Sequence, residues 1–161
     1  MNTAILYFSK HGTTEKVANL IAERLGKNQT EVIDLKKVKN PDIQSFDRII
    51  LGCGIYAGKP SKSFQDFCTR NLTTFLSKKI GLFVCGMEIS VEKQQQELLN
   101  AYHTDLLQHA TAKSFLGGEF NFEKMNFAER LIIKRIANIN KNVSAIKKAE
   151  ITSFVNLIKK S

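Results

Sequence analysis

Three short apolar runs constrain the fold of this chain more than any other feature: TAILYF at 3–8, DRIILGCG at 47–54 and KIGLFVCG at 79–86. Each stops on glycine or just before a small polar residue. None alternates apolar with polar residues, as a strand with one wet face would. A continuous run of this length reads as a strand buried on both faces, which is the mark of a parallel sheet covered by helices.

The intervening segments supply those helices. Residues 14–26 place Val17, Leu20, Ile21 and Leu25 at helical spacing, and Gly26 ends the pattern. EVIDL at 31–35 reads as a second strand, with 36–46 as a loop or short helix. Pro60-Ser61 opens a helix that turns Phe64, Phe67 and Cys68 inward. A helix over 90–109 has Val91, Leu98, Leu99, Tyr102, Leu106 and Leu107 on its inner side. AKSFLGGEF at 112–120 reads as the fifth strand, and 148–160 as a last helix with Ile151, Phe154, Val155 and Ile158 on one stripe. Right-handed crossovers then give an α/β, doubly wound five-stranded parallel sheet in the order 2-1-3-4-5.

The chain shows no repeat, low-complexity tract or linker, so one domain over 1–161 is expected. One insertion, 121–147, lies outside the simple alternation. Asn126 followed three residues later by Glu129 is a capping-box helix start, and Phe127, Ala128, Leu131, Ile132, Ile136 and Ile139 form a wide apolar face beyond it. The outside of this extra helix is basic: Arg130, Lys134, Arg135, Lys141, Lys147 and Lys148 fall within 130–148 without one acid. They contribute to a net charge of +9, which favours anionic partners. Three roles stay open for the helix: packing on the sheet edge or a second copy, lying on a membrane surface, or covering a substrate.

In a doubly wound sheet, ligands bind at the carboxyl edge where the strand order reverses. The loop there, Ser9-Lys10-His11-Gly12-Thr13-Thr14, leads into the first helix. It offers hydroxyls, backbone amides at a helix N-terminus and a positive charge on Lys10, with His11 the one other side chain able to add charge when protonated. Gly12 lets the backbone curl closely. Every group donates, and the fitting ligand is a phosphate; simple N-capping by Thr13 or Thr14 is the alternative. Two further loops reach the same edge, Gly54-Ile55-Tyr56-Ala57-Gly58 and Gly86-Met87-Glu88. Bare backbone beside large apolar side chains suits a flat heteroaromatic ring with polar edges, although those side chains could equally pack on one another.

Other chemistries find no support. GCGIYA at 52–57 fits a dinucleotide fingerprint but follows the third strand, and Pro60 delays the helix. A phospho-acceptor site would need acids where Phe8-Ser9 and Gly52-Cys53 stand. His11, His103 and His109 do not form a metal constellation, so no metal is expected, and no Ser-His-Asp arrangement is visible. Cys53, Cys68 and Cys85 lack CxxC spacing and suit reduced thiols, with Cys53 and Cys85 read as small core residues. With no basic leader and no run approaching the ~20 residues of a membrane span, a cytoplasmic protein is expected.

The pattern Phe8-Ser9-x-x-Gly12-x-Thr14-x-x-x-Ala18 resembles the FMN phosphate loop of flavodoxins. The resemblance extends over nearly the whole chain and is closest to the branch containing the bacterial menaquinone-dependent protoporphyrinogen IX dehydrogenase. FDRIILGCGIYAGKPSKSFQDF, 46–67, is similar to that branch's third strand, flavin loop and following helix. ERLIIKRI, 129–136, is similar to its basic insertion. The chain lacks Trp, and Tyr56 is the sole aromatic residue in the two ring loops.

The resemblance implies an FMN-binding redox protein, either an oxidoreductase or an electron carrier. Its implied partners are a porphyrinogen substrate, a quinone or a redox partner protein, with peripheral contact to the inner face of the membrane through 127–148. No nucleic acid partner is expected, and no catalytic residue is assigned. A flavin-free binding module acting through the basic helix is the alternative.

Overall fold

The computed structural model describes all 161 residues, Met1–Ser161. Its main sheet has five parallel strands: β1 (Thr3–Phe8), β2 (Thr30–Asp34), β3 (Arg48–Gly54), β4 (Lys79–Cys85) and β5 (Ala112–Phe115). They lie in the order β2-β1-β3-β4-β5, as the apolar runs predict. Phe8 stands opposite Cys53, and Gly54 opposite Cys85. The ends of β1, β3 and β4 therefore lie side by side at the carboxyl edge.

Successive side chains leave a strand on opposite faces, so each run feeds two cores. Ile5, Tyr7, Ile50, Phe83 and Cys85 pack on one face against α1 (Thr13–Leu25) and the last helix, α7 (Lys148–Lys160). Ala4, Leu6, Ile49, Leu51, Cys53, Leu82 and Val84 pack on the other against α2 (Lys62–Arg70), α3 (Leu72–Leu76), α4 (Val91–Ala101) and α5 (Thr104–His109). Phe83 and Phe154, both fully buried, meet edge to face with centroids 6.3 Å apart. Each such buried aromatic contributes roughly 1.5–3 kcal/mol through its lost water contact.

Several elements differ from the sequence expectation. The helix expected over 90–109 is two helices, because Tyr102 adopts an extended conformation (φ −128°, ψ 154°). That conformation lets its buried hydroxyl reach the carbonyl oxygens of Leu51 (2.9 Å) and Phe83 (2.6 Å). Satisfying a buried hydroxyl outweighs one more helical turn. His103 then caps α5, its Nδ1 accepting from the Asp105 amide at 3.2 Å. Tyr102 and Leu106 face inward as expected, but Val91 and Leu99 are exposed. The short helix α3, which buries Phe75, has no counterpart in the sequence reading.

The fifth strand is shorter than its apolar run. Only Ala112–Phe115 pairs with β4; Glu119–Phe120, here β6, pairs antiparallel with β7 (Val143–Ser144). The cause is the chain returning from the insertion. Ala145 donates to the Gly118 carbonyl (2.8 Å) and Lys147 to that of Leu116 (3.0 Å). Gly117 makes this possible at φ 75°, where a Cβ would collide with the Ala145 carbonyl oxygen.

Between β6 and β7 the chain forms a 3₁₀ turn at Phe122–Lys124 and the helix α6 (Phe127–Ala137). The capping box is present: Asn126 Oδ1 accepts from the Glu129 amide (2.9 Å), and Glu129 Oε2 from the Asn126 amide (3.1 Å). Met125 is buried and anchors the segment. The apolar side chains of α6 do not pack on the sheet edge: Phe127 is 78% exposed and Ile136 80%, with Leu131 and Ile132 also exposed.

Replacing Gly117 by Ala forces a side chain into both a left-handed conformation and the returning strand. The urea midpoint should fall by the equivalent of about 1–3 kcal/mol with an unchanged slope. An unshifted midpoint would mean that β6 and β7 do not hold the root of the insertion.

Candidate functional site

Helix α1 begins directly behind β1, so its first amides emerge at the carboxyl edge. The amides of Thr13, Thr14 and Glu15 have no acceptor four residues back within the helix. No side chain caps them, because the N-cap residue is Gly12, at φ 92°. Ser9 is buried and serves the turn itself, its Oγ accepting from the Gly12 amide at 2.9 Å. Thr14 is buried too, and its Oγ1 has no oxygen or nitrogen partner, only the Cys85 thiol, a weak one, beside it. A buried hydroxyl with so weak a partner, beside unpaired helix amides, is what an oxyanion ligand would satisfy.

The loop's own basic side chains already face a carboxylate from the insertion. Lys10 Nζ pairs with Glu129 Oε1. His11 Nε2 lies 3.5 Å from Glu129 Oε2, while His11 Nδ1 donates to the Lys124 carbonyl at 3.1 Å. The hydrogen bond from Lys10, aided by the Asn126 amide, holds the Glu129 carboxyl below the usual carboxylate range. Alongside, Lys16 pairs with Glu119 Oε1 at 2.6 Å. Burial pushes the Glu119 carboxyl up, but Lys16 and the Ser144 hydroxyl more than offset this and leave it lowered. His11, Lys16, Glu119 and Lys124, with Gly12 and Glu15, border a cleft of about 420 Å³ that has no apolar side chain in its wall. A larger cleft, about 510 Å³, lies at the β2 edge and includes Glu15, Glu31, Asp34 and Asp42; four carboxylates make it unsuited to an anion.

The two ring loops reach the same edge. Ile55 donates to the Cys85 carbonyl (2.8 Å), which ties the β3 loop to the end of β4. Tyr56-Ala57-Gly58-Lys59 forms a tight turn closed by paired Tyr56–Lys59 backbone bonds, with Ala57 (φ 49°) and Gly58 (φ 74°) both left-handed. Tyr56 lies back across Gly54 onto the anion loop instead of standing at the rim. Its hydroxyl accepts from the Lys10 amide (2.9 Å), and His11 meets its ring edge-on at 5.6 Å.

In the β4 loop, Gly86 donates to the Gly117 carbonyl (3.1 Å). Glu88 turns inward on its own loop, Oε1 accepting from the amides of Ile89 and Ser90 at 2.9 Å each. Met87 is half-buried, and Ile89 is exposed.

The three expected loops are thus neighbours, and Lys10 and Tyr56 touch directly. Lys124, Glu129, Glu119 and Lys16 join them at the mouth, although sequence reasoning assigned none of the four to the site. Glu129 is recognisable in the sequence only as a capping residue. Glu97 is a further addition: its Oε2 is buried without a partner, and burial followed by nearby Glu88 pushes its carboxyl up. The cysteines behave as core residues. All three are free and buried, and burial pushes the Cys85 thiol up to about 12. No group of His, Cys, Asp and Glu side chains could hold a metal ion.

Comparison with known proteins fits this arrangement. The flavodoxin domain family matches residues 4–146. The protoporphyrinogen IX dehydrogenase [quinone] of Escherichia coli K12 is 20% identical over 146 residues, covering 87% of this chain and 81% of that protein. Flavodoxin 1 of the same strain is 34% identical over 86 residues, 52% of this chain and 49% of the relative. Among solved structures, oxidised Flavodoxin 1 from Bacillus cereus superposes with a TM-score of 0.58 at 16% identity, covering 100% of this chain and 99% of that one. A Fusobacterium nucleatum flavodoxin bound to flavin mononucleotide gives 0.53 at 16% identity, with 99% and 97% covered. With the fold, the three edge loops and a family match over most of its length, this chain belongs to the flavodoxin family.

Proposed function

We propose that the chain is an FMN-binding redox protein. Its Ser9–Thr14 loop takes the phosphate, and the flavin ring lies between Gly54–Gly58 and Gly86–Glu88. The observation that carries this reading is Thr14, whose buried hydroxyl has only a thiol beside it and stands next to unpaired amides. FMN bound there supplies the electron chemistry; the protein sets its position and its surroundings. Family membership and likeness to a flavodoxin bound to flavin mononucleotide support the same cofactor.

The resemblance to a quinone-linked protoporphyrinogen dehydrogenase supports a finer reading. In it, the protein oxidises a porphyrinogen and hands the electrons to a quinone at a membrane surface. No helix is long and apolar enough to cross a membrane. The exposed Phe127, Leu131, Ile132 and Ile136 are interleaved with Arg130, Lys134 and Arg135, the composition of a helix that lies in an anionic interface. The observation favouring a flavin-free module instead is that Tyr56 and Glu129 already occupy several loop donors. A titration separates the two: the redox reading requires saturable FMN binding, and the module shows none.

Thr14→Val removes the hydroxyl but keeps the shape, so FMN binding should weaken by about 1–3 kcal/mol. An unaltered dissociation constant would remove Thr14 from the site. Changing Arg130, Lys134 and Arg135 to Gln removes about 1 kcal/mol each of attraction to an anionic surface. Partitioning onto anionic vesicles should then drop on the order of a hundredfold, and porphyrinogen-dependent quinone reduction on those vesicles should slow with it. Equal partitioning would leave α6 without a membrane role.

The docking of the insertion on the loop should also depend on pH. Because the folded-state pKa of Glu129 is depressed, its contribution is complete above the unfolded carboxylate value of about 4.3 and is lost as pH falls through the lower folded value. Hydrogen exchange across 121–137, corrected for intrinsic rates, should lose protection at pH 3 relative to pH 7 while the core strands keep theirs. Equal protection at both would show that Glu129 does not hold the segment.

A further inference from the structure

Four basic side chains surround the mouth of the anion loop: Lys10, His11, Lys16 and Lys124. Glu129 pairs with Lys10 and faces His11 at 3.5 Å, and Glu119 pairs with Lys16. Lys124 alone forms no ion pair. Its Nζ lies 2.8 Å from the point where a Cβ on Gly12 would stand, directly over the turn that presents the loop. The backbone holds it there, since the Lys124 amide donates to the Asn121 carbonyl (3.1 Å) and its carbonyl accepts from His11 (3.1 Å). The fold thus uses the backbone of Lys124 and leaves its ammonium without an ion pair, attracted only at longer range by Glu119 across the cleft.

Charge balance gives that ammonium a role. A phosphate monoester carries about −1.5 to −2 at neutral pH, whereas a helix N-terminus supplies only roughly half a positive charge. Lys10 and His11 face a carboxylate already, so the loop alone is short of positive charge. We infer that Lys124, delivered by the insertion, is the phosphate's counter-ion and makes the site select a phosphorylated flavin over its unphosphorylated parent. Charge-assisted hydrogen bonds are the strong ones, and this one is available without breaking an existing pair. The inference rests on the FMN reading and adds to it a residue from a part of the chain remote from the flavin loops.

The test is calorimetric titration of the full chain, its Lys124→Gln variant and its Lys124→Arg variant with FMN, riboflavin and inorganic phosphate. Lys124→Gln should raise the FMN dissociation constant about ten- to hundredfold, leave riboflavin binding unchanged and flatten the salt dependence, with Arg restoring most of the loss. If the wild type binds FMN and Lys124→Gln binds it equally well, or if FMN and riboflavin weaken together, the inference fails while the FMN reading stands. If the wild type binds no FMN, that reading fails. Inorganic phosphate then decides the role of Lys124: binding that is lost in Lys124→Gln upholds it as an anion ligand, and binding that is absent or unchanged overturns it.

Discussion

Strand β1 is hydrogen-bonded along both edges, to β2 and to β3, and this shapes everything at the carboxyl edge. The connections leaving β1 and β3 run to opposite sides, to β2 and to β4, so neither covers the gap between their ends. The chain must nevertheless turn straight into α1, whose first amides have no acceptors of their own. A crevice therefore opens where backbone donors are concentrated and unpaired. Burial of the strand on both faces makes the arrangement rigid, because Ile5, Leu6 and Tyr7 are locked between two cores. The loop is thus presented by a part of the protein that does not yield.

The positive charge of the chain and the anion site are separate matters. The excess over neutrality is concentrated in 130–148, most of it on α6 and the return towards α7, whereas the mouth of the loop is close to locally balanced. Glu129 and Glu119 each occupy cations there, and only Lys124 is left over. A basic composition therefore says more about how the surface meets an anionic partner than about how the loop holds a phosphate.

The sheet order and the place of the Ser9–Thr14 turn at its carboxyl edge were legible in the sequence because their signals are local. Continuous apolar runs mark doubly covered strands, and Ser9 to Thr14 are adjacent in the chain. What the sequence hid depends on contacts between distant residues. Glu129 meets Lys10 across 119 positions, and Lys124 meets His11 across 113. A local reading assigns Glu129 to its cap and Lys124 to a surface.

Two boundary errors have the same origin. Tyr102 breaks a helix to reach carbonyls on β3 and β4, and the chain returning through Ala145 splits the fifth strand at Gly117. In each case a buried partner overrides a periodic pattern that is sound in itself. Phe127, Leu131, Ile132 and Ile136 lie on α6, which Asn138 ends before Ile139; their exposure depends on where the insertion root places the helix, which periodicity does not encode.

The insertion brings both signs of charge to one loop, and the magnitudes decide between them. An exposed ion pair such as Lys10–Glu129 is worth about 0–1 kcal/mol. On the proposed reading, a phosphate with three acceptor oxygens meeting Thr14, the helix amides and Lys124 together would make several charge-assisted bonds of about 1.5–3 kcal/mol each. Glu129 therefore holds the segment over the loop firmly enough to order it, yet too weakly to keep a phosphate out. The short β6–β7 ladder closes the base of the insertion and limits how far its tip can move once Glu129 lets go. Lys124 sits between that base and the cap of α6, so the place of its ammonium over the turn depends on the same docking that Glu129 secures.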